Sequence, residues 1–177
     1  MPPPNCSPAL QPMSSLPPMP RRYLPHLALF VLILIADLVS KHWVESPGFA
    51  TMVLIPDWLG FVRAHNSGVA FSLFAELPES WRVLFLIGMT LAIAAFVGWW
   101  WWQERNTPGL THWLLTMILA GAAGNLWDRI QLGYVVDFIS VRLHFGDFIY
   151  DYPVFNIADC FISVPVVLLL LLNLRRK

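Results

Sequence analysis

Residues 155–174 read Phe155-Asn156-Ile157-Ala158-Asp159-Cys160-Phe161-Ile162-Ser163-Val164-Pro165 and continue as VVLLLLLNL to Leu174, a run whose only charge is Asp159. A helix needs ~20 apolar residues to cross ~30 Å of hydrocarbon, and this run supplies them. Lipid offers no hydrogen-bond partner to a bare backbone, so the segment is expected to be helical. Asp159, placed where the apolar run opens rather than in a polar loop, is costly there and needs a partner or a function.

Three further runs of the same kind precede it, at roughly 25–44, 82–102 and 111–130. The whole chain of 177 residues is 57% hydrophobic and 12% charged, more apolar surface than a soluble core of that size can hide. The expected fold class is therefore an all-α membrane protein with four transmembrane helices, forming one domain over 21–177. Residues 1–20, rich in Pro and Ser and without apolar periodicity, are expected to be a disordered cytoplasmic leader. The first span leads into Asp37, Ser40 and Lys41 without a small-x-small cleavage pattern, so it is expected to stay attached. Zero formal net charge argues against nucleic acid as a partner. Cys6 and Cys160 lie in unlike surroundings, which argues against a disulfide framework.

Basic residues set the expected orientation. Arg21, Arg22, Arg105, Arg175, Arg176 and Lys177 fall on one side of a four-span chain, opposed there only by Glu104. By the positive-inside bias that side, with both termini, is cytoplasmic. Two longer segments, 45–81 and 131–154, then lie outside. Alternating and aromatic stretches bounded by Pro and Gly predict a small extracytoplasmic β-rich subdomain between helices 1 and 2. Trp43, Trp81 and Trp99 to Trp102 stand at span ends as interfacial anchors.

The chemistry must come from ionisable residues at the edges of the spans. Asp37 and Lys41 stand i, i+4 on one helix face, which suits an ion pair. Asn125, Asp128 and Arg129 follow the small-residue stretch 120–124, and that cluster could serve packing or face a substrate. Asp137, between Val135-Val136 and Phe138-Ile139, and Asp159 are both expected near the outer lipid boundary, too far apart in sequence for one helix face. If folding brings them together, two carboxylates in a low-dielectric cleft hold one proton between them. That state suits peptide hydrolysis, whereas separate structural or ion-pathway aspartates would explain the same spacing. Glu45, Asp57, Glu76, Glu79, Asp147 and Asp151 have the simpler reading of solvated outer-loop acids, with Asp147 and Asp151 the first candidates for an exception because they lie between Asp137 and Asp159. The five histidines lack the spacing of a zinc peptidase, so no metal is expected.

Five short motifs now stand in order. They are Asp37-Leu38-Val39-Ser40-Lys41, Asn66-Ser67-Gly68-Val69-Ala70-Phe71, the stretch from Gly121 to Arg129 (GAAGNLWDR), Val135-Val136-Asp137-Phe138, and Phe155-Asn156-Ile157-Ala158-Asp159. Together they resemble the lipoprotein signal peptidases, aspartic peptidases also called signal peptidase II, from the first span to the fourth. The resemblance implies a catalytic pair of Asp137 and Asp159. It implies substrate contacts by Asn66, Gly68, Asn125, Arg129 and Asn156, with Asp37, Lys41, Asp128 and Ala158 in support. It further implies a diacylglyceryl-modified prolipoprotein substrate cut before its lipidated cysteine, no cofactor, and a monomer in the bacterial inner membrane with its site near the periplasmic face. The stretch from Phe71 to Phe74, apolar and beside Asn66, suggests a lid. The leader and the loop RLHFGDFIYDYPV between the two aspartates depart from the usual lengths.

Two other readings use the same residues. A serine-lysine peptidase would draw on Ser40 or Ser67 with Lys41, but adjacent helical side chains point about 100° apart. A small transporter would also place aspartates in its membrane, though it would typically show internal repeats, and none is seen.

Overall fold

The computed structural model describes residues 21–68, 78–106 and 109–175. Four helices carry the molecule: α1 (Leu24–Glu45), α2 (Glu79–Gln103), α3 (Leu110–Leu132) and α4 (Ile157–Arg175). Short 3-10 turns, Arg21–Tyr23 and Glu104–Asn106, flank α1 and α2 at one end of the bundle. Four strands, β1 (Met52–Ile55), β2 (Leu59–Asn66), β3 (Val135–Phe145) and β4 (Phe148–Phe155), form one antiparallel sheet in that order at the other end.

Three helices, α1, α2 and α4, are long and apolar enough to cross a membrane. Their outer faces carry large exposed apolar side chains, among them Leu32, Val39, Leu84, Phe96 and Leu170. The third helix, expected from its sequence as a span over 111–130, is 23 residues long but more polar. It is also the most enclosed, since α1, α2 and α4 all pack against it. A helix shielded by its neighbours can carry His112, Thr116, Asn125 and Asp128 on buried positions if they find partners there.

Close approach depends on two glycines of α3. A Cβ on Gly121 would collide with the backbone carbonyl of Ala158, and one on Gly124 with the Asp37 carboxylate. Small residues let helix backbones approach closely in a bundle. Away from the sheet, Val97, Leu114, Leu115, Ile118 and Leu169 form one apolar core; beneath the sheet Val44, Val136 and Phe138 form another.

The β-rich region differs from the expectation. Among the described residues only β1 and β2 come from between α1 and α2; β3 and β4 come from the segment after α3, and β2 pairs with β3. A two-stranded hairpin is marginal by itself, so the second hairpin completes the sheet. The start of β3 hid this in the sequence: Val135 to Phe138 are buried in succession and show no alternation. The unusual loop between Asp137 and Asp159 is the β3–β4 hairpin itself. The leader and the suggested lid at Phe71 to Phe74 lie outside the described residues.

Candidate active site

Two chain turns deliver the two aspartates. α3 ends at Gly133, whose φ of 81° is left-handed and whose N–H donates to the Arg129 carbonyl. Glycine adopts that conformation without strain, and β3 starts two residues later. Asp137 is thereby carried back over the end of the bundle, opposite Ala64 of β2, and is 2% exposed. Asp159 lies in the first turn of α4. Its N–H donates to Asn156 Oδ1 at 2.9 Å, and the Asn156 N–H donates to Asp159 Oδ2 at 3.2 Å. This reciprocal pair is a capping box with Asn and Asp in place of the usual Ser/Thr and Glu/Gln.

Asn156 joins the two acids. With its oxygen spent on the cap, its Nδ2 donates to Asp137 Oδ1 at 2.7 Å and to Asn125 Oδ1 at 3.1 Å. Asn66 Nδ2 donates to Asp137 Oδ2 at 2.9 Å, while its own oxygen accepts the Gly68 N–H, which fixes which way the amide faces. Gly68 has a φ of 77°, and a Cβ there would strike Leu86. Asn125 is oriented in the same manner: Lys41 Nζ donates to its Oδ1 at 2.9 Å, so its Nδ2 meets Asp159 Oδ1 at 2.8 Å.

Behind the amides lies a buried charge cluster. Lys41 Nζ is 2.8 Å from Asp37 Oδ2 and 3.0 Å from Asp128 Oδ2, all three nearly inaccessible. Each of these carboxylates also holds a backbone N–H immediately before a candidate catalytic residue. Asp37 Oδ1 accepts from Ala158 at 2.9 Å, and Asp128 Oδ2 accepts from Val136 at 3.1 Å. Ser40, by contrast, donates its hydroxyl to the Asp37 carbonyl one turn back.

Burial pushes the Asp137 carboxyl up to about 6; the bond from Asn66 opposes this and the nearby Asp159 charge adds to it. Arg129 stands within electrostatic reach of both aspartates, donates Nη1 to the Asn125 carbonyl at 3.3 Å, and leaves Nε without a partner among the described residues. Asp137 lines an open cleft of about 470 Å³ with His65, Asn66, Ser67, Pro153 and Val154.

All eleven residues singled out in the sequence thus fall in one network. What the sequence reading missed is the rim: His65 bonds Glu45 at 2.8 Å and stacks on Tyr134 at 4.3 Å. Its place next to Asn66 was the one available signal. Asp151, read as a solvated acid, is exposed and bonded to Arg142 Nε at 2.6 Å.

The fold puts the chain among membrane enzymes: a solved structure described as a bacterial membrane enzyme superposes with a TM-score of 0.71 and 26% identity, covering 85% of this chain and 88% of that one. The family is more specific, because residues 29–175 match the family model described as signal peptidase (SPase) II. Lipoprotein signal peptidases of Sinorhizobium fredii and Pseudomonas aeruginosa are each 40% identical, over 78% and 87% of this chain and 80% and 90% of their own lengths. The chain belongs to the signal peptidase II family and is a peptidase that removes signal peptides from prolipoproteins.

Proposed function

We propose that Asp137 and Asp159 are the catalytic pair of an aspartic endopeptidase that cuts diacylglyceryl-modified prolipoproteins before the lipidated cysteine. The observation that carries this reading is Asn156, which donates its side-chain Nδ2 to the Asp137 carboxylate and its backbone N–H to the Asp159 carboxylate. At rest the two carboxyls hold one proton between them. Asp137, buried on β3 among neutral amide donors, holds the shared proton. Asp159 takes a proton from water as the water oxygen bonds to the scissile carbonyl carbon, and Asp137 gives its proton to the carbonyl oxygen. In the collapse Asp159 protonates the departing nitrogen, Asp137 recovers a proton from the diol, and the C–N bond breaks, restoring one proton to the pair. Asn66, which lines the cleft beside Asp137, contacts the substrate backbone, and Arg129 supports the pair from behind.

The bundle spans the bacterial inner membrane four times as a monomer, both termini cytoplasmic and the sheet outside. The gathering of Arg21, Arg22 and Arg105 at the end away from the sheet supports that orientation. A site at that outer edge keeps the substrate's acyl chains in lipid while water reaches the peptide bond.

Cleavage of a diacylglyceryl-prolipoprotein in detergent tests the pair. Asp137→Asn and Asp159→Asn should each lose at least ~1,000-fold in rate, with Ser40→Ala and Ser67→Ala close to wild type. Survival of Asp137→Asn with loss in a serine variant would transfer the chemistry to a serine-lysine pair. Against that pair stands the use of the Lys41 ammonium by two carboxylates and an amide.

A further inference from the structure

At the end of the bundle away from the sheet, α1 and α2 both pack along α3 rather than on each other. A groove of about 230 Å³ opens between them, walled by Tyr23, Leu27 and Phe30 of the α1 end and by Trp101 of α2, and floored by Thr116 and Leu119 of α3. The one hydroxyl in its floor is already spent. Thr116 Oγ1 accepts from Trp101 Nε1 at 3.0 Å and donates to the His112 carbonyl at 2.9 Å. His26, which also lines the groove, turns its ring onto Trp113 at 4.1 Å and sets Nε2 3.0 Å from His112 Nδ1.

Water in such a groove would find too few partners, and an empty one would forfeit dispersion contacts along its whole lining. In a bilayer the filler at hand is an acyl chain. The charge at the lip chooses the headgroup: the Arg22 guanidinium lies 4.8 Å from the Tyr23 ring centroid. In the sequence this end holds Arg21, Arg22 and Arg105 against Glu104. A peptide with a basic leader would be repelled there, and a phosphate attracted.

We propose that the groove between α1 and α2 binds one acyl chain of an anionic glycerophospholipid, with its phosphate on Arg22. The site is separate from the aspartate pair, so its test does not depend on cleavage. The full chain, delipidated in detergent, is titrated with phosphatidylglycerol and with phosphatidylcholine of the same chains, and followed by native mass spectrometry and thermal unfolding. Phosphatidylglycerol should form a one-to-one adduct and raise Tm more than phosphatidylcholine does. Arg22→Gln, at an exposed position, should weaken phosphatidylglycerol about fivefold, the worth of one arginine near an anionic surface, and weaken phosphatidylcholine less, because its choline cation already offsets the phosphate charge. Leu27→Trp, which fills the groove, should lower adduct formation with both lipids, whereas Arg142→Gln on the sheet should change neither. Equal responses to the two lipids, or a preference that survives Arg22→Gln, would overturn the proposal. So would displacement of the lipid by a synthetic signal peptide, which would make the groove part of the substrate path.

Discussion

Asn156 and Asp159 exchange two hydrogen bonds across the first turn of α4, and this exchange leaves the Asn156 amide nitrogen free to reach Asp137 at 2.7 Å. Helix capping and the joining of the two carboxylates are therefore one device. Asn156→Ala should lower kcat/KM by ~100-fold or more. Asn156→Ser keeps a cap oxygen but has no nitrogen to offer Asp137, so it should recover most of the lost Tm and little of the lost rate. Recovery of both in the serine variant would separate Asn156 from the pair.

Lys41 is held between Asp37 and Asp128 in a site closed to solvent. Removing the cation leaves two buried carboxylates facing each other, so Lys41→Met should destabilise the protein by about 3–5 kcal/mol. Thermal unfolding in detergent measures this. A Tm within a degree or two of wild type would mean that the cluster does not hold the bundle together.

Glycine spacing on α3 can be tested against glycines elsewhere. Gly121→Ala and Gly124→Ala push a methyl into the Ala158 carbonyl and the Asp37 carboxylate, and should each cost about 1–3 kcal/mol. Gly88→Ala and Gly98→Ala on α2 meet nothing within 4 Å and should be neutral or gain the helix preference of alanine. Equal losses at all four would remove the close approach of α3 as the cause.

The pH profile follows from Asp137. Its carboxyl is raised to about 6, so the free enzyme gives up the shared proton as pH climbs through that value. The profile of kcat/KM should accordingly fall on its alkaline side with a midpoint near 6. Asn66 donates to the ionised form and lowers this value, so Asn66→Ala should move the midpoint to higher pH while reducing the rate. A midpoint that moves to lower pH in that variant would contradict the assignment of the proton to Asp137.

Much of the site was legible because polar residues in apolar runs are few and expensive. Asp37, Asn125, Asp128, Asp137 and Asp159 stood out for that reason, and the i, i+4 spacing of Asp37 and Lys41 already implied their pairing. The sheet was less legible. The β3 strand begins with four buried residues and so lacks the alternation by which a strand is read, and its pairing with β2 is a contact between segments about seventy residues apart. His65 with Glu45 and Tyr134 was invisible for the same reason.

By itself the sequence determined that the four long apolar runs form helices, which residues are too costly to be there without a role, and which family the chain joins. These follow from hydropathy, periodicity and short motifs, all local quantities. Only the tertiary structure decided that Asp137 and Asp159 share Asn156, that Asp37 and Asp128 each hold the backbone N–H just before one of those acids, and that α1 and α2 leave a groove over α3. A hydrogen bond acts over about 3 Å, and no rule of sequence spacing brings residues from separate helices and strands within that range.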